Sequence, residues 1–142
     1  MGDHGDGIAG KVVIITGGTK GIGKVIAQSF LNAEAKVLIC ARNAPEERIQ
    51  SGKNSADFFD CDVRDSNQIK SLIGYCISTY GRLDILVNNA GGAPPADSAT
   101  ASEGFTRSII DLNLVAPLMF AQIARDAMVS NGHGGVIINI SS

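Results

Sequence analysis

"TGGTKGIG", Thr16 to Gly23, lies where a continuous apolar run, "KVVIIT" (Lys11 to Thr16), gives way to helical spacing at Ile22, Val25, Ile26 and Phe30. A β-branched run ended by glycines reads as a strand covered on both faces. The segment is therefore strand, glycine loop, helix. Gly17 lets the chain leave the strand in a tight turn. Gly21 admits a bulky anion to the backbone, and Gly23 lets the helix lie close against the sheet. The free N–H groups at the helix start, aided by its dipole, then face a pyrophosphate. A formal G-x-G-x-x-G occurs earlier, in "GDGIAG" from Gly5 to Gly10. It precedes the first strand and so lacks the context in which that fingerprint works.

Working outward, strands and helices alternate. "KVLIC" (Lys36 to Cys40) is a second strand, and "APEER" a short helix with Pro45 in its first turn. "ADFFDCDV" (Ala56 to Val63) is a third strand. Ile69, Leu72, Ile73, Cys76, Ile77 and Tyr80 mark an amphipathic helix. "LDILVNNAGG" (Leu83 to Gly92) is a fourth strand running into a Gly/Pro-rich loop. A long helix is expected over residues 103–129 and a fifth strand over 135–140. This alternation predicts an α/β fold, a Rossmann-type doubly wound parallel sheet with helices on both faces. Residues 1–10 read as a flexible leader and 11–142 as a single domain. The long helix is apolar on two sides: Phe105, Ile109, Leu112, Ala116, Met119 and Ile123 form one stripe, Ile110, Leu114, Leu118 and Ala121 another. One stripe covers the sheet; the other calls for a second subunit or a further helix.

Composition narrows the function. A net charge of −2 without charge runs argues against nucleic-acid or anionic-membrane partners. No apolar stretch reads as long enough to span a bilayer. Three cysteines without C-x-x-C spacing point to reduced, buried thiols and no metal site. The leader has no signal-peptide order, so a cytoplasmic location is expected.

The glycine loop matches T-G-x-x-x-G-I-G of the classical short-chain dehydrogenases/reductases. "NNAG" (Asn88 to Gly91) matches that family's second signature, "DLNL" places Asn113 at its catalytic asparagine, and "INISS" matches the strand that carries its catalytic serine. The chain thus resembles this family along nearly its whole length. The resemblance implies hydride transfer between a nicotinamide cofactor and a small-molecule alcohol or ketone. It assigns cofactor contacts to Gly17, Thr19, Lys20, Gly21, Ile22 and Gly23, to Asp62 and Val63 at the adenine, and to Asn89, Ala90 and Gly91 at the ribose. Asn88 is expected to tie neighbouring strands together. Catalytic roles fall to Asn113 and Ser142. Pro117 has no N–H, so the carbonyl of residue 113 loses its ordinary helical partner and can bind a water.

NAD-binding folds place a carboxylate at the end of the second strand for the ribose 2′-OH. Here Ala41 stands there, followed by Arg42, which can pair with a 2′-phosphate; Lys20 adds a second positive charge. These residues favour NADP(H) over NAD(H). Asp65 or Ser66 is better placed than Asp62 to cap the following helix, which leaves Asp62 for the adenine. The family's Tyr-x-x-x-Lys is absent, since Tyr75 is followed four residues later by Thr79, and Tyr80 by Asp84. The chain is expected to be the N-terminal portion of such an enzyme, its sheet incomplete at the C-terminal side. Alone it is expected to be inactive, and to be poorly stable or to need a C-terminal complement. The alternative is a truncated, non-catalytic NADP-binding module.

Overall fold

Every residue of β1 (Val12–Thr16) is buried, as only a central strand can be. The computed structural model describes residues 7–91, 96–97 and 99–141. Around β1 run β2 (Lys36–Ala41), β5 (Asp57–Asp60), β6 (Ile85–Asn88) and β7 (Val136–Asn139), all parallel, in the order β5-β2-β1-β6-β7. Alternate β1 residues serve opposite faces. Val12 and Ile14 join a core covered by α2 (Ser66–Tyr80) and by α4 (Ala116–Ser130) through Phe120. Val13 and Ile15 pack beneath α1 (Gly21–Asn32). The chain winds outward from β1 to β5, then returns to β6. Its topological switch point therefore lies between the C-terminal ends of β1 and β6, where α/β folds hold their ligands.

Two expectations are corrected and a third is refined. The "APEER" segment is not helical. Residues 42–48 bend along the surface, Ile49 is buried as an anchor, and a two-stranded antiparallel sheet of β3 (Gln50–Ser51) and β4 (Asn54–Ser55) follows. Five residues cannot repay helix nucleation without tertiary support, and Ile49 supplies the competing contact. The long helix runs unbroken from Glu103 to Ser130, as expected, but is not α-helical throughout. α3 (Glu103–Ile110) leads into a π-helical stretch, Asp111–Val115, before α4. Pro117 lacks the donor an α-helix needs; the wider turn, in which the Ala116 N–H bonds Asp111 O, places the proline in α4's first turn, where that loss costs least. The face of α4 that reaches the core is Ala116, Phe120, Ala124 and Met128, with Met119 and Ile123 half-buried beside it. Ile110, Leu114 and Leu118 of the second stripe are exposed, at 47%, 66% and 59%. Finally, the run Glu103–Ser130 does have the length and hydropathy of a membrane span. Its buried stripe and its charges, Glu103, Arg107, Asp111, Arg125 and Asp126, suit a helix laid on a sheet.

Of the leader, residues 7–10 form turns, with the Gly10 N–H bonded to Glu34 O and Ile8 packed against the α1-side core; residues 1–6 lie outside the described residues. β7 is an edge strand whose Val136 and Ile138 are exposed, so the winding is uncovered on that side. All three cysteines are buried and free.

Candidate functional site

The loops after β1, β2, β5 and β6 meet at one edge of the sheet. Thr16 organises them. Its buried hydroxyl oxygen accepts the backbone N–H of Asn89 at 2.9 Å and of Ala90 at 2.8 Å, while Asn89 Nδ2 donates to Gly17 O at 3.3 Å. The glycine loop and "NNAG" are thereby clamped together. Gly17 turns at φ +66°, its N–H held by Cys40 O at 2.8 Å. Gly23 packs so tightly that a Cβ there would fall on Gly17 O. Lys20, the N-cap of α1, provides no side-chain cap, and no acidic residue occupies the first turn. A helix start left so is suited to an anion.

These loops enclose a cleft of about 860 Å³. Of the residues anticipated from the sequence, Gly17, Thr19, Lys20, Gly21, Arg42, Asp62, Val63, Asn89, Ala90 and Gly91 line it together. Ile22 does not; it is 66% exposed on α1. Gly23 lies behind the loop it supports. Asn113 sits at the cleft's end beside Leu112: its Nδ2 donates to Ile109 O at 2.9 Å, and its Oδ1 lies 2.7 Å from where a Cβ on Gly91 would stand. Ser142 lies outside the described residues. Asn88 ties elements together as expected, donating to Asn139 Oδ1 at 3.0 Å and Pro117 O at 3.2 Å.

Lys20, Lys24, Arg42 and Arg64 give the cleft its positive side, against Glu46, Glu47 and Asp62. Asp65 caps α2 by accepting the Asn67 N–H at 2.9 Å. Asp62, however, is not left free. Its Oδ1 accepts the Arg64 backbone N–H and Nε–H, and its Oδ2 the Arg64 Nη2, each at 3.0 Å. These Arg64 bonds hold the carboxyl below the usual range, with Arg42 adding a more distant pull. Cys40 and Cys61, both free thiols, also line the cleft; a hydrogen bond with Cys61, together with burial, holds the Cys40 thiol well above its ordinary value. Neither tyrosine lines the cleft. Tyr75 packs on Phe59 with ring centroids 5.2 Å apart, and the Tyr80 hydroxyl donates to Asp57.

Thr16, Lys24 and Arg64 carry roles that the motifs did not assign. Lys24 was detectable as a second lysine one helical turn after Lys20. Arg64 stands two residues beyond Asp62, within reach of its carboxylate.

The family model described as short chain dehydrogenase matches residues 11–142. An L-fucose dehydrogenase of Bos taurus is 36% identical over 137 residues, which cover 94% of this chain and 50% of the relative. The 7alpha-hydroxysteroid dehydrogenase of Escherichia coli K12 is 37% identical over 138 residues, covering 94% and 53%. The ligand-free structure of Thermoplasma acidophilum aldohexose dehydrogenase superposes with a TM-score of 0.85 at 34% identity, covering 96% of this chain and 51% of that one. The chain spans about half the length of the curated relatives it matches.

Proposed function

We propose, from the chain's membership of the short-chain dehydrogenase family, to which it belongs by the match over residues 11–142, that it holds NADP(H) for hydride exchange with a small-molecule alcohol or carbonyl. The observation that carries this reading is the Thr16 clamp, which sets the uncapped start of α1 and the "NNAG" backbone on one cleft. The family binds nicotinamide cofactors, and the residues present fit one. Gly17, Thr19 and Gly21 offer backbone to the paired phosphates, Asn89, Ala90 and Gly91 line the ribose, and Asp62 with Val63 faces the base. The bound cofactor supplies the hydride or accepts it. The protein's own part in this half is to orient the dinucleotide and exclude water along the cleft.

Preference for the 2′-phosphate rests on Arg42 and Lys20 in the cleft, with Ala41 where an acid would repel it. In equilibrium titrations the chain is expected to bind NADPH more tightly than NADH. Arg42→Ala is expected to shrink that preference about 10- to 100-fold, the equivalent of one lost charge-assisted pair. Equal wild-type affinities would overturn the assignment.

Asn113 and Ser142 are the proposed catalytic residues, Asn113 through a water and Ser142 at the reacting oxygen. With Tyr75 and Tyr80 both away from the cleft, the chain alone is expected to bind NADPH without oxidising it against carbonyl compounds.

The exposed stripe of Ile110, Leu114 and Leu118 is the proposed contact with a second copy. By light scattering the wild type is expected to be oligomeric, and Leu114→Glu with Leu118→Glu monomeric. A monomeric wild type would sink this contact.

A further inference from the structure

Arg64 has a bonding pattern beyond what an exposed cation needs. An ionised carboxylate offers about four acceptor positions on two oxygens. At Asp62, the Arg64 backbone N–H and Nε–H take both on Oδ1, and Nη2 takes one on Oδ2. One accepting direction remains, on Oδ2. The turn around it is held as well. The Asp62 N–H donates to Gln68 Oε1 at 2.8 Å, Gln68 Nε2 donates to Asp65 Oδ2 at 3.2 Å, and Asp65 Oδ1 caps α2. Rotation of the Asp62 carboxylate would break the guanidinium fork. Asp62 and Arg64 both line the dinucleotide cleft, and their side chains stay partly open to it, at 28% and 36% exposure.

We infer that Arg64 is a positioning residue for the base of the dinucleotide: by fixing Asp62 with one accepting direction left, it makes the site select a base bearing an exocyclic amine. This inference rests on the dinucleotide reading above. An adenine amine donates along the remaining direction. Hypoxanthine has a carbonyl at that position, which sets oxygen against oxygen, and its only nearby donor is the adjacent ring N–H. A mobile carboxylate can swing to accept that ring N–H, whereas a fixed one cannot. Lysine at position 64 would keep the charge without the fork.

The test is equilibrium binding of NADPH, NADH and the hypoxanthine counterpart of NADPH to the 142-residue chain and to its Arg64→Ala and Arg64→Lys variants, with thermal melts to verify folding. A site built to bond a polar group rejects analogues lacking it; with Asp62 partly exposed, the wild type is expected to favour adenine about 10-fold. Both variants are expected to reduce that ratio to about 3-fold or less while leaving the NADPH:NADH ratio unchanged, Lys failing to rescue because charge alone does not fix the carboxylate. An unchanged base ratio in either folded variant overturns the inference. So does a selective loss of NADPH over NADH affinity, which would make Arg64 a reader of the 2′-phosphate. If the wild type binds none of the three, the dinucleotide reading itself fails and takes this role with it.

Discussion

Gly23→Ala is expected to raise the dissociation constant for NADPH by about 100-fold or more, since a shift near 1 Å in a positioning element can cost that much. The added methyl would fall on the Gly17 carbonyl oxygen, 2.5 Å from Asn89 Nδ2 and 2.9 Å from Gly17 C. Two of these neighbours are backbone, and they have nowhere to go. Gly17 is held through its N–H by Cys40 O, and its carbonyl accepts Asn89 Nδ2. The start of α1 must therefore withdraw from the loop, carrying the N–H groups proposed to face the phosphates. Such overpacking also costs about 1–3 kcal/mol of stability. Gly74→Ala is the control. Gly74 lies within α2 with nothing inside 4 Å of the added methyl, so the same change is expected to stabilise by about 0.5–1 kcal/mol through helix propensity alone. Calorimetric titration and melting curves of the two variants read both effects. Binding by Gly23→Ala within threefold of wild type would mean that the tight packing behind the loop does not position the ligand site.

Positions 17 and 23 were legible in the sequence because they demand a residue type: Gly17 for its positive φ, Gly23 for the space a side chain would fill. The covering of β1 on both faces was legible for a related reason. "KVVIIT" is apolar at successive positions, which suits a strand covered on both faces and therefore central. Contacts between distant residues left no such trace. Thr16 meets Asn89 and Ala90 across 73 and 74 positions, and its hydroxyl resembles any other until the strands are aligned. Phe120 lies outside both stripes because the first runs from Ala116 to Met119 by a step of three, whereas α4 buries the i, i+4 row Ala116, Phe120, Ala124 and Met128. Arg64 carries no signal of its own, because a basic residue two positions after an acid fits any exposed turn until the fork on Asp62 is seen.

At the opposite end of β1, Asp84→Ala is expected to destabilise the fold by roughly 2–3 kcal/mol, chiefly because a buried backbone donor is left unsatisfied. The Asp84 carboxylate is buried and accepts the Val12 N–H at 2.9 Å on Oδ2, while Arg82 grips it through Nε at 2.8 Å and Nη2 at 2.6 Å. The Asp84 main chain also donates to Val12 O at 3.0 Å and accepts from Val136 at 2.9 Å, so a single residue joins the starts of β1, β6 and β7. Replaced by alanine, it leaves the Val12 N–H, 1% exposed, with neither a partner nor water. Asp84→Asn keeps one oxygen to accept the Val12 N–H but turns the other into an NH2 donor facing Arg82 and removes the charge, so its cost should be smaller and should depend on pH. Burial pushes the Asp84 carboxyl up, but the Arg82 and Val12 hydrogen bonds outweigh it and the net direction is down. A carboxyl lowered in the fold stabilises above its unfolded pKa of about 3.9 and loses that contribution as pH falls through the folded value. The stability gap between wild type and Asp84→Asn is thus expected to stay constant from about pH 8 to 5 and to close below about pH 4. Urea melts at neutral and acid pH measure it, and an equal gap at both would place the stabilisation outside the ionised pair. The consequence reaches the site, since β1 and β6 are pinned by Asp84 at one end and by Thr16 at the other. Loosening the Asp84 end is expected to weaken NADPH binding without altering any residue of the cleft.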